Sequence, residues 1–262
     1  MTQIKITDMA ASVRQRLLNI ARDQKTDFVL LLRRYAIERL LVRLSQSEYS
    51  GKFILKGAML FLAWGEAMPR ATKDLDLLGS DNNNHDAMRR IFTIICRRNV
   101  LPLDGIRFKP ESMEIDSIRE DKKHNGIRIR LDAELGKALI PLQIDIGFGD
   151  AVVPGPIDVN FPSLLENKGP LIKAYPPEIA IAEKTDAMIT LGMDNSRMKD
   201  FYDIWFLSQN RSFDGRTLSK AIATTRIKNR LQELEREKAA LLAELRQAEE
   251  IPPSEQSFGS PL

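Results

Sequence analysis

Apolar and polar positions along this chain fall into two alternations, one of helical and one of strand period. In "SVRQRLLNIARDQ", Val13, Leu17, Ile20 and Ala21 recur at helical spacing, with Asp8 or Ser12 placed to cap the segment. "FVLLLRRYAIERLLVRLSQS" repeats the pattern at greater length through Leu31, Tyr35, Ile37, Leu40, Leu41 and Leu44, and "SEYSGK" breaks it. Phe53 to Leu55 then reads as a short strand, Lys56-Gly57 as a turn, and Ala58 to Trp64 as a helix of good formers. "KDLDLLG" is a second strand. "HDAMRRIFTIICRRN" is an amphipathic helix with Met88, Ile91 and Ile95 opposite Arg89, Arg90 and Arg97. "GIRFKPESMEIDSIRE" reads as a strand with turns. "HNGIRIRLDAEL" and "IPLQIDIGFGD" alternate with period two around "GKAL", the pattern of a hairpin.

This order predicts an α+β sheet domain. The proline-rich stretch from Asp150 to Glu178 is expected to cross between domains. Helical patterns return in "EIAIAEKTDAMITLG", in "RMKDFYDIWFLSQN" and over residues 218–250. Within the last, Ile227, Leu231, Leu234, Lys238, Leu241, Leu245 and Ala248 step alternately by four and three, an a/d seam with one lysine inside it. That seam suits either a long surface helix folded back on the body or self-association through residues 227–248. "IPPSEQSFGSPL" has the composition of a disordered end. The expected division is 1–165 for the sheet domain with its N-terminal helices, 166–225 for a helical domain, and 226–262 for the heptad helix and its end.

Composition changes this picture little. With 262 residues and 43% apolar composition, one substantial core or two modest domains can form. A net charge of +3 permits a nucleotide or nucleic-acid partner without demanding one. The single cysteine, Cys96, excludes an intrachain disulfide, fits a reducing compartment and reads as a small core residue. The first residues lack a signal-peptide pattern, and runs such as "AMLFLAW" fall short of the ~20 residues a membrane span requires. A soluble cytoplasmic protein with no membrane partner is expected. His85 and His124 sit in polar contexts with no second His or Cys at ligand spacing, which leaves neither a metal motif nor a Ser-His-Asp constellation. Arg97-Arg98 and Lys122-Lys123 are either solvated pairs or part of a surface that meets RNA phosphates.

The chemistry concentrates in "PRATKDLDLLG". Asp74 and Asp76, two apart on a strand, point to the same side, where their carboxylates repel unless one takes a proton or a cation lies between them. Hard oxygen ligands suit Mg²⁺, or Mn²⁺ in its place. Leu75 and Leu77 would pack the other face. Upstream, Gly57 in "LKGAM" lets backbone approach a phosphate, and the following helix would aim N–H groups at it. Asp145 in "QIDIGF" supplies a third carboxylate if its strand neighbours the pair. Arg70 and Thr72 could hold triphosphate oxygens. Asp200 and Asp203 lie at i,i+3 on one helix with Arg197 beside them, an arrangement that also suits a solvated face of ion pairs.

A glycine turn opening a helix, then D-x-D on the next strand, then a later strand aspartate, resembles the nucleotidyltransferase superfamily related to DNA polymerase β. More closely, "ERLLVRLSQSEYSGKFILKGAMLFLAW", "RATKDLDLLG", "EIAIAEKTDAMITLG" and "RMKDFYDIWFL", in that order over residues 10–225, resemble the AbiEii/AbiGii nucleotidyltransferase toxins of type IV toxin–antitoxin and phage abortive-infection systems. The resemblance implies a polymerase β-like sheet domain followed by a helical C-terminal domain and, here, a coiled-coil-like tail. Lys56, Gly57 and Ala58 match the glycine turn, with Ala58 where members often carry a second glycine. Asp74 and Asp76 match the metal-binding pair, Thr72 the hydroxyl residue before it, and Lys184 a lysine that contacts nucleotide phosphates. Asp200 and Asp203 match a late acidic motif with a catalytic role, Asp145 comes from the wider superfamily as a further metal ligand, and Asp145 or one of Asp200 and Asp203 would help activate the acceptor hydroxyl.

The implied function is transfer of a nucleoside monophosphate from an NTP to an acceptor, foremost a tRNA 3′ end, with Mg²⁺-dependent release of pyrophosphate and a cognate antitoxin encoded nearby. Transfer to a protein or small molecule, and a degenerate relative that only binds nucleotide or RNA, are the other readings. Past "AIATT" (221–225) the resemblance is expected to stop.

Overall fold

Helix α2 (Phe28–Ser45) is apolar on more than one side, with Leu31, Tyr35, Ile37, Leu40, Leu41 and Leu44 all buried. A helix of that pattern has to be surrounded. In the computed structural model, which describes residues 8–66, 72–80, 84–120, 124–150, 152–166, 169–192 and 196–249, α2 lies against α1 (Met9–Asp23), α4 (His85–Arg97) and one face of a sheet. Asp8 proves to be the cap of α1: its carboxylate accepts from the backbone N–H of Ala11.

The described residues form seven helices and one sheet of seven strands. The strands are β1 (Phe53–Lys56), β2 (Asp74–Gly79), β3 (Ile106–Glu120), β4 (His124–Leu135), β5 (Ala138–Phe148), β6 (Ile157–Asn160) and β7 (Leu171–Ala174). Their spatial order is β3-β4-β5-β2-β1-β7-β6. β1 runs antiparallel to β2, β2 parallel to β5, and β1 parallel to β7; the outer pairs are antiparallel. On the covered face Leu55, Leu75, Leu77, Ile127, Ile129, Ile144 and Ile146 meet the helices, and this is the core. The alternation that buries these residues turns their neighbours, Asp74, Asp76, Gln143, Asp145 and Arg128, to the other face.

Three expectations change. The stretch from Asp150 to Glu178 is no crossing between domains: β6 and β7 within it join the same sheet, β7 directly beside β1, so the sheet continues past residue 165. Each strand has only four residues, too few for the alternation to be read among prolines. The expected helix from Ala58 to Trp64 is a 3₁₀ turn, Gly57–Met59, followed by one helical turn, α3 (Leu60–Ala63). So short an element has little dipole to offer an anion. Finally, α7 (Gly215–Glu249) runs unbroken through residue 226 after α5 (Pro177–Leu191) and α6 (Met198–Asn210). Its first half packs on α5, with Ala221 and Thr225 buried and Asn229 donating to Asp186 at 2.7 Å. Its second half exposes Leu241, Leu242 and Leu245. The proline-rich end, residues 251–262, lies outside the described residues. No helix among the described residues is long and apolar enough to cross a membrane.

Buried charge anchors α2. Arg39 Nε donates to Asp104 at 3.0 Å and Arg43 Nη1 at 2.6 Å, while Arg39 Nη1 reaches Glu166 at 2.8 Å. Glu38 accepts from Ser163 Oγ at 2.7 Å and from the backbone N–H of Leu164 at 2.9 Å. One helix is thereby tied to the loop before β3 and to the loop between β6 and β7. Burial pushes the Asp104 carboxyl up, and hydrogen bonds from Arg43 and Arg39 more than reverse this, holding it below the ordinary value. Asp104→Ala is expected to cost about 3–5 kcal/mol, because two guanidinium groups stay buried without their shared partner. Urea unfolding of wild type and variant at neutral pH reads the loss.

Candidate active site

Register brings charges from five strands into one row on the open face. Lys56 on β1 pairs with Asp76 on β2, Asp76 with Asp145 on β5, Asp145 with Arg128 on β4, and Arg128 with Asp116 on β3. Two carboxylates thus stand side by side in neighbouring strands, with Asp74 two residues along from Asp76. Asp145 is neutralised within the row: Arg128 Nε and Nη2 donate to its two oxygens at 2.8 and 2.7 Å, and Gln143 Nε2 adds a third bond at 3.1 Å. This fork-to-fork pair fixes the carboxylate in the plane of the guanidinium.

Asp74 and Asp76 are half-buried. The Asp74 carboxyl is raised above its ordinary value, first by desolvation and then by the charge of Asp145; Arg128, Arg33 and Lys199 oppose the rise. The same field shows that α2, through Arg33, and α6, through Lys199, both bring cations to the site.

Gly57 holds the other side. Its φ is +70°, the left-handed region that side chains avoid. A Cβ there would overlap the Asp76 carboxylate, Oδ2 first. The carboxylate therefore rests on the glycine itself. Lys56, one residue earlier, is buried and donates to Asp150 at 2.8 Å; the Tyr175 hydroxyl shares that same oxygen at 3.3 Å. Ala58 is buried within the turn, and Thr72 is half-buried just before β2. Arg70 lies outside the described residues.

Lys184 on α5 meets both late aspartates: its ammonium donates to Asp200 and to Asp203, each at 2.9 Å, and Arg197 Nε lies 2.9 Å from Asp200. Asp200 and Asp203 are 2% and 0% exposed, so they do not form the solvated face that their spacing also allowed. The structure thus sorts the sequence-predicted residues into two groups. Gly57, Asp74, Asp76 and Asp145 converge on the open face of the sheet; Lys184, Asp200 and Asp203 converge between α5 and α6. Sequence reasoning missed Arg128, Arg33, Lys199, Asp150 and Tyr175. The strand alternation "IRIRL" facing "QIDIG" could have found Arg128, since any hairpin pairing that buries the isoleucines puts an arginine beside Asp145.

No group of three or more His, Cys, Asp and Glu side chains is disposed to hold a metal ion among the described residues. The Asp74–Asp76 pair nonetheless fits Mg²⁺, which takes one or two protein carboxylates and fills its remaining positions with phosphate oxygens and water.

A D-x-D pair on the open face of a mixed sheet, seated on a left-handed glycine turn and backed by helices, is consistent with the nucleotidyltransferase class. The family model for the nucleotidyl transferase AbiEii toxin of type IV toxin–antitoxin systems matches residues 39–259, and the chain belongs to that family. The match runs through α7, so the family pattern does not stop after residue 225 as expected; the helix-forming composition of the tail had hidden it. Among solved structures, JHP933 from Helicobacter pylori is similar at 15% identity and a TM-score of 0.45, over 83% of this chain and 97% of that one. A second H. pylori structure, described as a candidate nucleotidyltransferase, is similar at 15% identity and a TM-score of 0.43, over 80% of this chain and 96% of that one. No curated protein matches the chain.

In the metal-free protein, the Asp74 carboxyl is expected to titrate above the ordinary aspartate value of about 3.9. Asp145→Asn should move it down, because the variant removes the adjacent negative charge and leaves Arg128 to act on Asp74. Carboxyl ¹³C NMR titration of both proteins measures the shift; an unchanged or higher value in the variant would contradict the assignment of its cause.

Proposed function

We propose that this chain is a toxin-type nucleotidyltransferase that moves a nucleoside monophosphate from an NTP to an acceptor, foremost a tRNA 3′ end, within a type IV toxin–antitoxin system of the phage-defence kind. The observation that carries the reading is the seat of Asp76 on Gly57. It places a fixed carboxylate against exposed backbone at the end of β1, and family membership supplies the reaction class.

Asp74 and Asp76 would hold Mg²⁺, or Mn²⁺ in its place. A divalent cation there supplies Lewis-acid stabilisation of the transferred phosphoryl group and of the departing pyrophosphate. Asp76, immobilised by the glycine beneath it, gives that cation one fixed oxygen donor. The Asp76 carboxylate fills the space over Gly57, and the backbone of the turn beside it would meet triphosphate oxygens. Lys56, held by Asp150, which also accepts from the Tyr175 hydroxyl, sets the geometry of the turn. Arg33, Arg128 and Lys199 surround Asp74 with positive charge that suits a polyphosphate and a nucleic-acid acceptor. Arg128 fixes Asp145 beside the reacting groups. Lys184, with Asp200 and Asp203, keeps α6 and its Lys199 in register with the sheet. The exposed seam of Ile227, Leu231, Leu234, Leu241 and Leu245 on α7 further supports self-association through residues 227–248, which light scattering of the full chain against Leu241→Glu would reveal.

Purified protein incubated with Mg²⁺, total RNA and each α-³²P-labelled NTP in turn is expected to label a tRNA-sized band. Asp76→Asn should abolish the label. Gly57→Ala should reduce it by about a hundredfold or more, since a displacement of about 1 Å in a positioned group has that effect. Label on a protein would transfer the acceptor role to protein. No label with any NTP, or full activity in Asp76→Asn, would overturn the transferase reading.

A further inference from the structure

Helix α6 has a face that the site chemistry above does not use. One side is pinned: Asp200 and Asp203 lie on Lys184, and Leu207 is buried with Phe61 and Ile181. The Phe206 ring meets Phe61 edge-on at 5.6 Å, so the helix already has its aromatic anchor in the core. The remaining side turns outward Met198, Phe201, Tyr202 and Trp205, which are 70%, 42%, 42% and 55% exposed. Three aromatic rings and a methionine along one side of one helix make an apolar surface of the kind that marks an interaction site.

Two properties say what it meets. First, the Tyr202 and Trp205 rings lie 5.6 Å apart with their planes tilted by 32°, and both residues are exposed. Second, the acids of α6 itself are turned away from them. Asp200 and Asp203 are the only acids on α6 and both are buried, while Lys199 is exposed one turn before Tyr202 and acts on Asp74. The aromatic face is therefore continuous, through Lys199, with the cationic surround of the D-x-D pair. Rings that stack bases, beside cations that meet phosphates, are how proteins hold single-stranded nucleic acid without regard to sequence.

We propose that this face of α6 is a stacking platform for the unpaired bases of a single-stranded RNA end, holding it with its terminal hydroxyl directed at Asp74 and Asp76. The proposal rests on the transferase reading for the purpose of the platform but not for its existence. Tyr202 and Trp205 stack the bases. Lys199 takes the phosphate between the last stacked nucleotide and the site. A duplex, whose bases are already stacked on each other, gains nothing from the rings.

The test is fluorescence anisotropy of a fluorescein-labelled single-stranded RNA oligonucleotide titrated with the full chain, with the same sequence fully paired as comparison. Single-stranded RNA is expected to bind more tightly than duplex. Tyr202→Ala and Trp205→Ala should each weaken it by between about fivefold and about a hundredfold. Trp205→Phe, which keeps a ring, should retain most of the affinity. Equal affinity in the alanine variants, or no preference for single strands, would overturn the platform. So would light scattering that shows Trp205→Ala dissociating a wild-type oligomer with RNA affinity unchanged, which would give the face to a second copy. The two readings fail separately. Ring-dependent binding without label transfer from any NTP sinks the transferase and keeps the platform; transfer with an unaltered acceptor KM in Trp205→Ala sinks the platform and keeps the transferase.

Discussion

The Asp76 carboxylate lies on the α-carbon of Gly57, and the geometry of the site depends on that contact. Only a residue without Cβ leaves the space, and only glycine adopts φ +70° there without strain of about 1–2 kcal/mol. The contact is enforced by register. β1 and β2 are antiparallel, and Lys56 pairs with Asp76, so the residue after Lys56 has to turn away under the carboxylate. The turn in turn starts α3, whose Leu60, Phe61 and Leu62 are buried. A core element thus holds the glycine, and the glycine holds the carboxylate.

The sheet divides its two faces by charge. The covered face carries isoleucine and leucine at most of its buried positions. The open face carries lysine, aspartate, aspartate, arginine and aspartate in sequence across five strands. Like charges directly opposite one another destabilise a sheet, and the Asp76–Asp145 pair would do so were Asp145 not held by Arg128. The arginine removes one of the two negative charges from the contest. What remains is the Asp74–Asp76 pair, where desolvation and Asp145 raise the Asp74 carboxyl and Arg128, Arg33 and Lys199 oppose the rise. The covered face also has buried charge, and there Arg39 and Arg43 donate to Asp104 while Glu38 accepts from Ser163 and Leu164. Those groups hold loops; they do not wait for a ligand.

How much of this could be read in the sequence follows from how local each signal is. The helices at 9–23, 28–45 and 85–97 were legible because their apolar spacing repeats over several turns. The β4–β5 hairpin was legible because period two persists through both arms. The D-x-D face was legible from strand parity alone. β6 and β7 were not: four residues of alternation among prolines carry no period, and only the long-range pairing of Ala174 with Leu55 makes β7 a strand. Arg39, Arg43 and Asp104 were hidden for a similar reason, since a charged residue within an apolar helix gives no sign of which distant loop will neutralise it. Resemblance singled out Lys184 as a phosphate contact, but its partners Asp200 and Asp203 could not be read, because i,i+3 spacing on α6 fits an exposed ion-pair face as well as a buried one.

That last distinction changes what the late motif does. An ammonium between two buried carboxylates leaves one negative charge uncompensated, and Arg197 beside Asp200 supplies the balance: two cations against two anions at the junction of α5 and α6. Buried charges are tolerated only when matched in this way. The group is accordingly a clamp, and its consequence is orientation. Facing Asp200 and Asp203 inward turns Lys199 toward Asp74 and leaves the aromatic residues of the same helix outside. Removing any one member would strand the others in a medium that does not solvate them, and the first thing to move would be α6. Lys184, Asp200 and Asp203 thus join α5 to α6, the helix whose Lys199 acts on Asp74.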